Sequence, residues 1–395
     1  MQMRRKEKKL IFLNQMAGPL FRELSEDLAK VWPQSVLFTG HPDTVQCRDT
    51  LCLHIEPAPG YDRRSYFSRF LSWFKYFFKA FWFIWKQPED NMFFIVSNPP
   101  FLGVVGLFFK CFRKQEYVIL VYDVYPDLLV ALRKLKKGVV SKCWDYFNRI
   151  VYENASQVMT IDQDMGRLLK KKFDILKTKS KKIVCIPPWA DIEVIKPIDK
   201  KQNRFALKYN LLNKTTVLYS GNMGHSHDIK IIIETARKLS TEAEIHFLFI
   251  GEGSKWSLVE KTIEKYQLKN ITLLPFQPEE VLPLSMTTGD IGIVTYENGT
   301  QGCMSPSKAY YYMAAGLPII VISGCETDLT RLVKEKECGI WLKNGDIEGM
   351  TKTVKELSAN LLLLSRYKKA ARKTAEQFYS RKNSELFVNA LKAIG

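Results

Sequence analysis

Short runs of β-branched and aromatic residues recur along the chain, and each gives way to a loop or to a segment whose apolar positions repeat at helical spacing. In the first half the runs are "KLIFLN", "SVLFTG", "MFFIVSN", "YVILVYD", "QVMTI" and "KIVCIP". This alternation predicts a parallel sheet covered by helices on both faces. It resumes after "PPWADIEVIKPIDKK" with "TTVLYSGN", "EIHFLFIGEG", "NITLLPF", "DIGIVTY", "LPIIVIS" and "CGIWL". Paired prolines and polar residues near Pro187 to Lys200 interrupt the pattern and predict a domain boundary. The expected fold is α/β, two doubly wound, Rossmann-like domains, 1–188 and 189–372, facing a central cleft. In such sheets ligands sit beyond the carboxyl ends of the strands.

One stretch departs from this pattern. "RRSYFSRFLSWFKYFFKAFWFIWKQ", Arg63 to Gln87, sets aromatic rings between evenly spaced cations and stops at Pro88. At about 100° per residue, Ser65, Ser68, Arg69, Ser72, Lys75, Lys79 and Lys86 share one arc, intruded on by Tyr76 and Phe83, while most aromatic residues point elsewhere. A helix of this length reaches roughly 30 Å, but spanning a bilayer would bury Arg69, Lys75 and Lys79 at about 3 kcal/mol each. The pattern suits a helix seated in the headgroup layer of an anionic membrane, with Trp73, Phe77, Trp82 and Trp85 toward the lipid and the basic tail Arg4 to Lys9 assisting. The competing reading is a helix wholly within the core.

Composition narrows the classes. The 395 residues carry a formal net charge of +18, with ordinary globular proportions of apolar and charged residues, so the chain is folded and its partner is acidic. The basic residues are dispersed and no RNP, zinc-finger or helix-turn-helix pattern is present, which argues against nucleic acid. Cys47, Cys111, Cys185 and Cys338 are scattered without metal-site spacing and read as reduced thiols of a cytoplasmic protein. The opening "MQMRRKEKKLIFLNQMAGP" has too few apolar residues before Asn14 for a signal sequence and reads as a basic tail entering a first strand.

The chemistry is expected in the loops after strands. In "YSGNMGHSHD", Gly221 and Gly224 allow a tight turn whose amides approach a phosphate, though an ordinary strand-to-helix turn would look the same. "IGEGSKWSL" repeats the arrangement with Lys255 at a helix start, or simply on a solvated face. In "YENGTQGCMSPSKAYYYMAAGLPIIVIS", Ser305 reads as an N-cap and Pro306 as the first helical residue, which would turn the amides of Ser307 and Lys308 toward a diphosphate. "DQD", Asp162 to Asp164, reads as a helix cap rather than a metal motif, and the two histidines of "GHSHD" are too few for a metal site, so no metal or other cofactor is expected.

The stretches "PSKAYYYMAAGLPII", "YSGNMG", "FIGEGS" and "CGIWLKNGD" resemble the donor-binding half of retaining glycosyltransferases of family 4, which have the GT-B fold. "IVSNPPFLG", "VYDVYPD" and "PPWADIEVIKP" are similar to a bacterial polysaccharide-building branch typified by the fucosaminyltransferase WbuB, and the likeness extends to the terminal "RYKKAARKTAEQFYS". It implies a C-terminal helix, 373–395, returning to the first domain. It also implies a nucleotide-sugar donor with its diphosphate near Gly221, Asn222, Gly224, Ser307 and Lys308, and His225 near the donor phosphate or sugar. Gly18 in "QMAGPLF" would face the donor from the first domain, and Asp123 would lie near the reacting sugar unless it merely caps a turn. A lipid-linked glycan acceptor would explain a peripheral seat on the inner face of the plasma membrane.

One departure stands out. Many members of that family carry a Glu-x7-Glu pair, and alignment on "MAAG" puts Cys303 and Tyr311 at those positions, neither of which is a carboxylate. Glu326 or Glu297 could substitute on the ribose. The implied mechanism needs no protein nucleophile, because the leaving diphosphate takes the proton while cations and amides stabilise its charge. A catalytically silent partner subunit with the same fold is the alternative.

Overall fold

The computed structural model describes residues 9–47, 49–62, 64–174 and 183–394. The chain divides into two compact units: unit 1 is Met1–Pro187 with Gly302–Ser305 and Lys382–Gly395, and unit 2 is Pro188–Gln301 with Pro306–Arg381.

In unit 1 the elements follow as β1 (Leu10–Leu13), α1 (Pro19–Val31), β2 (Ser35–Thr39), α2 (Pro42–Val45), β3 (Leu53–Pro57), α3 (Tyr66–Trp85), β4 (Met92–Val96), α4 (Gly103–Arg113), β5 (Tyr117–Val121), α5 (Asp127–Ala131), α6 (Val139–Asn154), β6 (Gln157–Thr160), α7 (Gln163–Asp174) and β7 (Ile183–Cys185). All strands are parallel, in the order β3-β2-β1-β4-β5-β6-β7. Central strands such as "MFFIV" and "YVILV" are buried at every position, as sheets covered on both faces require. Strand β3 escapes the hydrophobic pattern because it is an edge strand that alternates buried Leu53 and Ile55 with more exposed His54 and Glu56.

Unit 2 holds α8 (Arg204–Lys208), β8 (Thr215–Ser220), α9 (Ile229–Lys238), β9 (Ile245–Ile250), α10 (Trp256–Tyr266), β10 (Ile271–Leu274), α11 (Leu282–Thr287), β11 (Ile291–Thr295), α12 (Lys308–Ala314), β12 (Ile319–Ile322), α13 (Asp328–Glu335), β13 (Gly339–Leu342), α14 (Ile347–Ala359) and α15 (Leu361–Phe378). Its parallel sheet has the order β10-β9-β8-β11-β12-β13. The segment leading from unit 1 is fastened here. Lys200 reaches Asp290, which also receives Lys368 of α15 at 2.7 Å, and Arg372 donates to the carbonyls of Ile192 and Ile195 at 3.0 and 2.8 Å. The last helix, α16 (Ser384–Lys392), packs on α1 in unit 1, with Phe387 against Phe94.

The aromatic helix α3 begins at a capping box, in which Ser65 and Ser68 each accept the other's backbone N–H at 3.0 and 2.9 Å. Its inward face differs from the expectation. Ser72, Tyr76, Ala80 and Ile84 are buried, so the stripe turned to the sheet overlaps one side of the arc read as polar, while Lys75, Lys79 and Lys86 on its other side stay exposed. Tyr76 and Phe83 are the reason: the Tyr76 hydroxyl donates to the Phe38 carbonyl at 2.8 Å, and Phe83 stacks on Phe38 at 4.7 Å. Trp73 and Phe77 are half-buried, Trp73 stacked on Tyr61 at 6.0 Å, which corrects their assignment to the lipid-facing set. Trp82 and Trp85 stay exposed, joined by Phe67, Phe70, Phe74 and Phe78. Among the described residues no helix is long and apolar enough to cross a membrane. The basic tail Arg4 to Lys8 lies outside the described residues.

Candidate functional site

The strand order of unit 2 reverses between β8 and β11, and the loops after these two strands meet at that point. Gly221, the first residue after β8, has φ +132, and a Cβ there would press on Lys308 Cε at 3.3 Å. Gly251 after β9 has φ +144, and its Cβ would fall 2.0 Å from the Gly221 carbonyl oxygen. Two glycines therefore let the loops close backbone to backbone, a conformation essentially reserved for glycine.

Lys308 is the central group. Its ammonium stands 3.8 Å from the centroid of the fully buried Tyr219 ring, a cation–π contact, while the Tyr219 hydroxyl donates to the Asn222 carbonyl at 2.8 Å. Lys308 Nζ is buried without a hydrogen-bond partner among the described residues, and burial lowers its pKa to about 7. A desolvated ammonium with three unused donors is a site for an anion.

The helix start around it is also different from the expectation. Helix α12 begins at Lys308 with Ser307 as N-cap, whose side chain caps nothing, and Ser305 groups with unit 1. The reason is a tight first turn, with Ala309 and Tyr310 donating to the Pro306 and Ser307 carbonyls. With only seven residues in α12, the lysine rather than a helix dipole supplies the positive charge.

Lys255 donates to the His227 carbonyl and to Glu297 Oε2, the latter at 2.8 Å. His227 is buried and its Nδ1–H donates to the Thr295 carbonyl at 3.0 Å. Burial, then the neighbouring Lys308 charge, lowers its pKa to about 3 and keeps it neutral. His225 lies exposed, so of the two histidines it is His227 that adjoins Lys308. Asn222 is exposed and Gly224 half-buried in the same loop, the Asn222 amide 2.9 Å from where a Gly224 Cβ would lie.

The two positions of the missing carboxylates part company. Cys303 sits in a small apolar cluster of unit 1 with Leu128 and Met304, where burial pushes its thiol up to about 12. Tyr311 is half-buried against the core of unit 2. Tyr311→Glu therefore forces a carboxylate against apolar side chains, and calorimetry should show a loss of about 2 kcal/mol or more. Of the two candidate replacements, Glu297 is tied to Lys255, while Glu326 is largely exposed with Arg331 at 3.5 Å.

In unit 1 the reversal falls between β1 and β4. Gly18 caps α1 directly after β1, and the space where a side chain would begin is 3.7 Å from the His41 ring. Asp123 follows β5. Its backbone pairs with Met304, and its carbonyl accepts from Ser97 Oγ at 3.2 Å. Its carboxyl has no hydrogen-bond partner among the described residues, and desolvation pushes its pKa up to about 6. It lines a cavity of about 20 Å³ with Ser97, Tyr125, Trp144 and Asn148, enough for one water. The Trp144 ring is stacked with Phe101 at 4.4 Å and with Tyr125 at 5.9 Å, and its Nε1 has no partner among the described residues. No motif pointed to Trp144 or Asn148, because both lie inside an amphipathic helix. Asp162 acts as a cap, accepting from Met165 N at 2.7 Å.

Residues 199–374 match the family model described as Glycosyl transferases group 1. Over 246 residues the chain is 26% identical to the probable glycosyltransferase WbjE of Pseudomonas aeruginosa, covering 62% of this chain and 60% of that protein. Over 275 residues it is 25% identical to the putative colanic acid biosynthesis glycosyl transferase WcaI of Escherichia coli K12, covering 67% of this chain and 65% of that one. The matched part is therefore less than two thirds of either relative. The structure of HepE from Anabaena in complex with UDP-glucose superposes with a TM-score of 0.74 at 12% identity, covering 98% of this chain and 99% of that one. The two parallel-sheet α/β units have the GT-B fold.

Proposed function

We propose that this protein is a retaining glycosyltransferase of family 4, in the WbuB-like branch, that moves a sugar from a nucleotide-sugar donor to a lipid-linked glycan acceptor in cell-surface polysaccharide synthesis. The observation that carries this reading is the buried, unpartnered Lys308 ammonium between Gly221 and the Tyr219 ring, at the strand reversal of unit 2. It is a cation waiting for a diphosphate. HepE, with the same fold, is described in complex with UDP-glucose, so uridine diphosphate is the first donor head to test.

In this mechanism the diphosphate takes the place of the missing partner of Lys308, and Lys255 adds a second charge when it turns from Glu297. As the sugar leaves, negative charge grows on the departing phosphate, which Lys308 and the loop amides stabilise, so no metal is required. The phosphate then takes the proton of the attacking hydroxyl on the same face. His227, neutral at pH 7, offers its Nε2 as an acceptor to a hydroxyl of the donor. Gly18 gives the donor an unobstructed backbone, and Asp123 accepts a hydrogen bond from a second hydroxyl of the acceptor, which orients the attacking one. Helix α3 seats unit 1 on the inner, anionic face of the plasma membrane, through Phe70, Phe74, Phe78, Trp82 and Trp85 with Lys75 and Lys79 beside them.

The test is the purified chain with UDP-sugars and membrane lipid extract. Sugar appearing in a lipid-linked product supports the enzyme reading, and UDP binding without any transfer by the chain alone would favour a silent partner subunit.

A further inference from the structure

Helix α6 carries its own outward apolar surface, far from α3 in sequence. Val139, Val140, Tyr146 and Phe147 are exposed by 77, 65, 52 and 56%, and Cys143 is exposed among them. At about 100° per residue these five positions fall within one arc of roughly a third of the helix. The buried residues, Ser141 and Val151, lie outside this arc. Soluble helices present polar residues outward, so an apolar outer arc needs a partner. The turn just before α6 holds Arg133, Lys134, Lys136 and Lys137, all exposed, and within the helix Lys142 is exposed while Arg149 lies over the Tyr146 ring at 4.6 Å.

This surface continues toward α3. Helix α4 packs against both α3 and α6. Phe108 of α4 meets Phe81 of α3 at 5.0 Å and stacks on Phe112 at 4.3 Å, and Phe112 is 74% exposed. In right-handed crossovers between parallel strands, helices run back against the strands, so α3, α4 and α6 all start at the carboxyl edge of the sheet. The exposed residues at those starts are Phe67 and Phe70 of α3, Phe101 before α4, and Val139 and Val140 of α6. They flank the edge from which Asp123 projects.

We infer that α6 and the Arg133 to Lys137 turn form a second lipid contact, which together with α3 makes one bilayer-docking layer along the edge of unit 1 that carries Asp123. Apolar side chains ringed by cations, with almost no exposed acid between them, match the interface of an anionic bilayer; a protein partner would ask for shape and hydrogen-bond complementarity instead. Neighbouring Asp145 is paired with Lys172. Docked at two separate helices, the unit cannot roll about α3, and Asp123 is held at the height where a hydroxyl on a lipid-borne glycan emerges. The inference rests on the membrane reading above but assigns it a different element.

Flotation with vesicles of equal phosphatidylglycerol and phosphatidylethanolamine, against vesicles of phosphatidylcholine alone, tests it with the full chain. Val139→Ser/Val140→Ser/Phe147→Ser should lower binding to the anionic vesicles about tenfold, with unchanged melting temperature and unchanged UDP affinity. Lys136→Glu/Lys137→Glu, both at exposed positions, should do the same and abolish the preference for anionic lipid. If both variants float like the parent while Phe74→Ser/Trp82→Ser does not, the second contact is overturned and α3 alone docks. If the parent does not float, the membrane reading itself fails. A parent dimer that the serine variant converts to monomer would overturn the lipid assignment in favour of a second copy of this chain.

Discussion

Lys308→Met should lower donor affinity about a hundredfold and at the same time raise the melting temperature. The first effect follows from removing a cation in a dry site, where each charge-assisted hydrogen bond to a phosphate contributes about 1.5–3 kcal/mol. The second follows from the same dryness. The ammonium is buried without an acceptor, and its pKa is lowered to about 7 from an unfolded value near 10.5. Between those two values the unfolded chain binds more protons than the folded one, so stability rises with pH across that window, by at most about 1.4 kcal/mol per unit. Below about pH 7 the penalty is present in full. Methionine keeps the apolar stem over the Tyr219 ring and carries no charge, so the variant should be more stable at pH 7, and this rise in stability with pH should disappear. Denaturant melts of parent and variant from pH 6 to pH 10, with UDP titrations at pH 7, measure both effects. A variant that loses stability and binds UDP like the parent would remove Lys308 from the donor site.

The contrast between that lysine and its sequence reading shows where pattern reasoning reaches its limit. Uninterrupted apolar runs mark buried parallel strands, because both faces of such a sheet are covered; that is why β4, β5, β8 and β11 are legible from the chain alone and the edge strand β3 is not. The loops at Gly221 and Lys308 were legible too, since ligand sites of open parallel sheets gather where the strand order reverses. What the pattern could not supply was depth. Nothing in "SPSKAY" says that the ammonium turns back over Tyr219, or that "GHSHD" buries its second histidine and exposes its first. In α3 the same ambiguity shifted a face. With aromatic residues on more than one side, the inward stripe of the helix is fixed where a hydroxyl finds an acceptor, and Tyr76 finds the Phe38 carbonyl. The unit 1 pocket was half legible for a related reason: Asp123 sits in a recognisable strand-end motif, whereas Trp144 and Asn148 come from the interior of α6 and meet it only in three dimensions.

Asp123→Asn should slow sugar transfer about a hundredfold while leaving donor affinity unchanged. Its carboxyl faces a water-sized cavity with no hydrogen-bond partner among the described residues, which leaves its oxygens open to a hydrogen bond from an acceptor hydroxyl next to the attacking one. An amide of the same shape presents one weaker oxygen and a repelling N–H to that hydroxyl, and the resulting misplacement of the acceptor costs about a hundredfold. The pH dependence separates this role from a structural one. Desolvation pushes the carboxyl pKa up to about 6, so the accepting, ionised form appears only as pH rises through that value. The parent's rate under saturating donor should therefore climb between about pH 5 and pH 7, and the variant's low rate should lack that limb. Stability moves the other way. Between the unfolded value near 3.8 and the folded value near 6, the folded chain binds more protons than the unfolded one, so stability contributed by this group falls as pH rises and its penalty is complete above about pH 6. Asn, always neutral, avoids that penalty, so the variant should melt no lower than the parent at pH 7 and should melt closer to it at pH 4. A slow enzyme that is at least as stable as its parent, with intact UDP binding and a missing acid limb, marks a carboxylate that touches the acceptor; a slow enzyme that has also lost stability would mark a buried group whose task is only to hold the β5 loop.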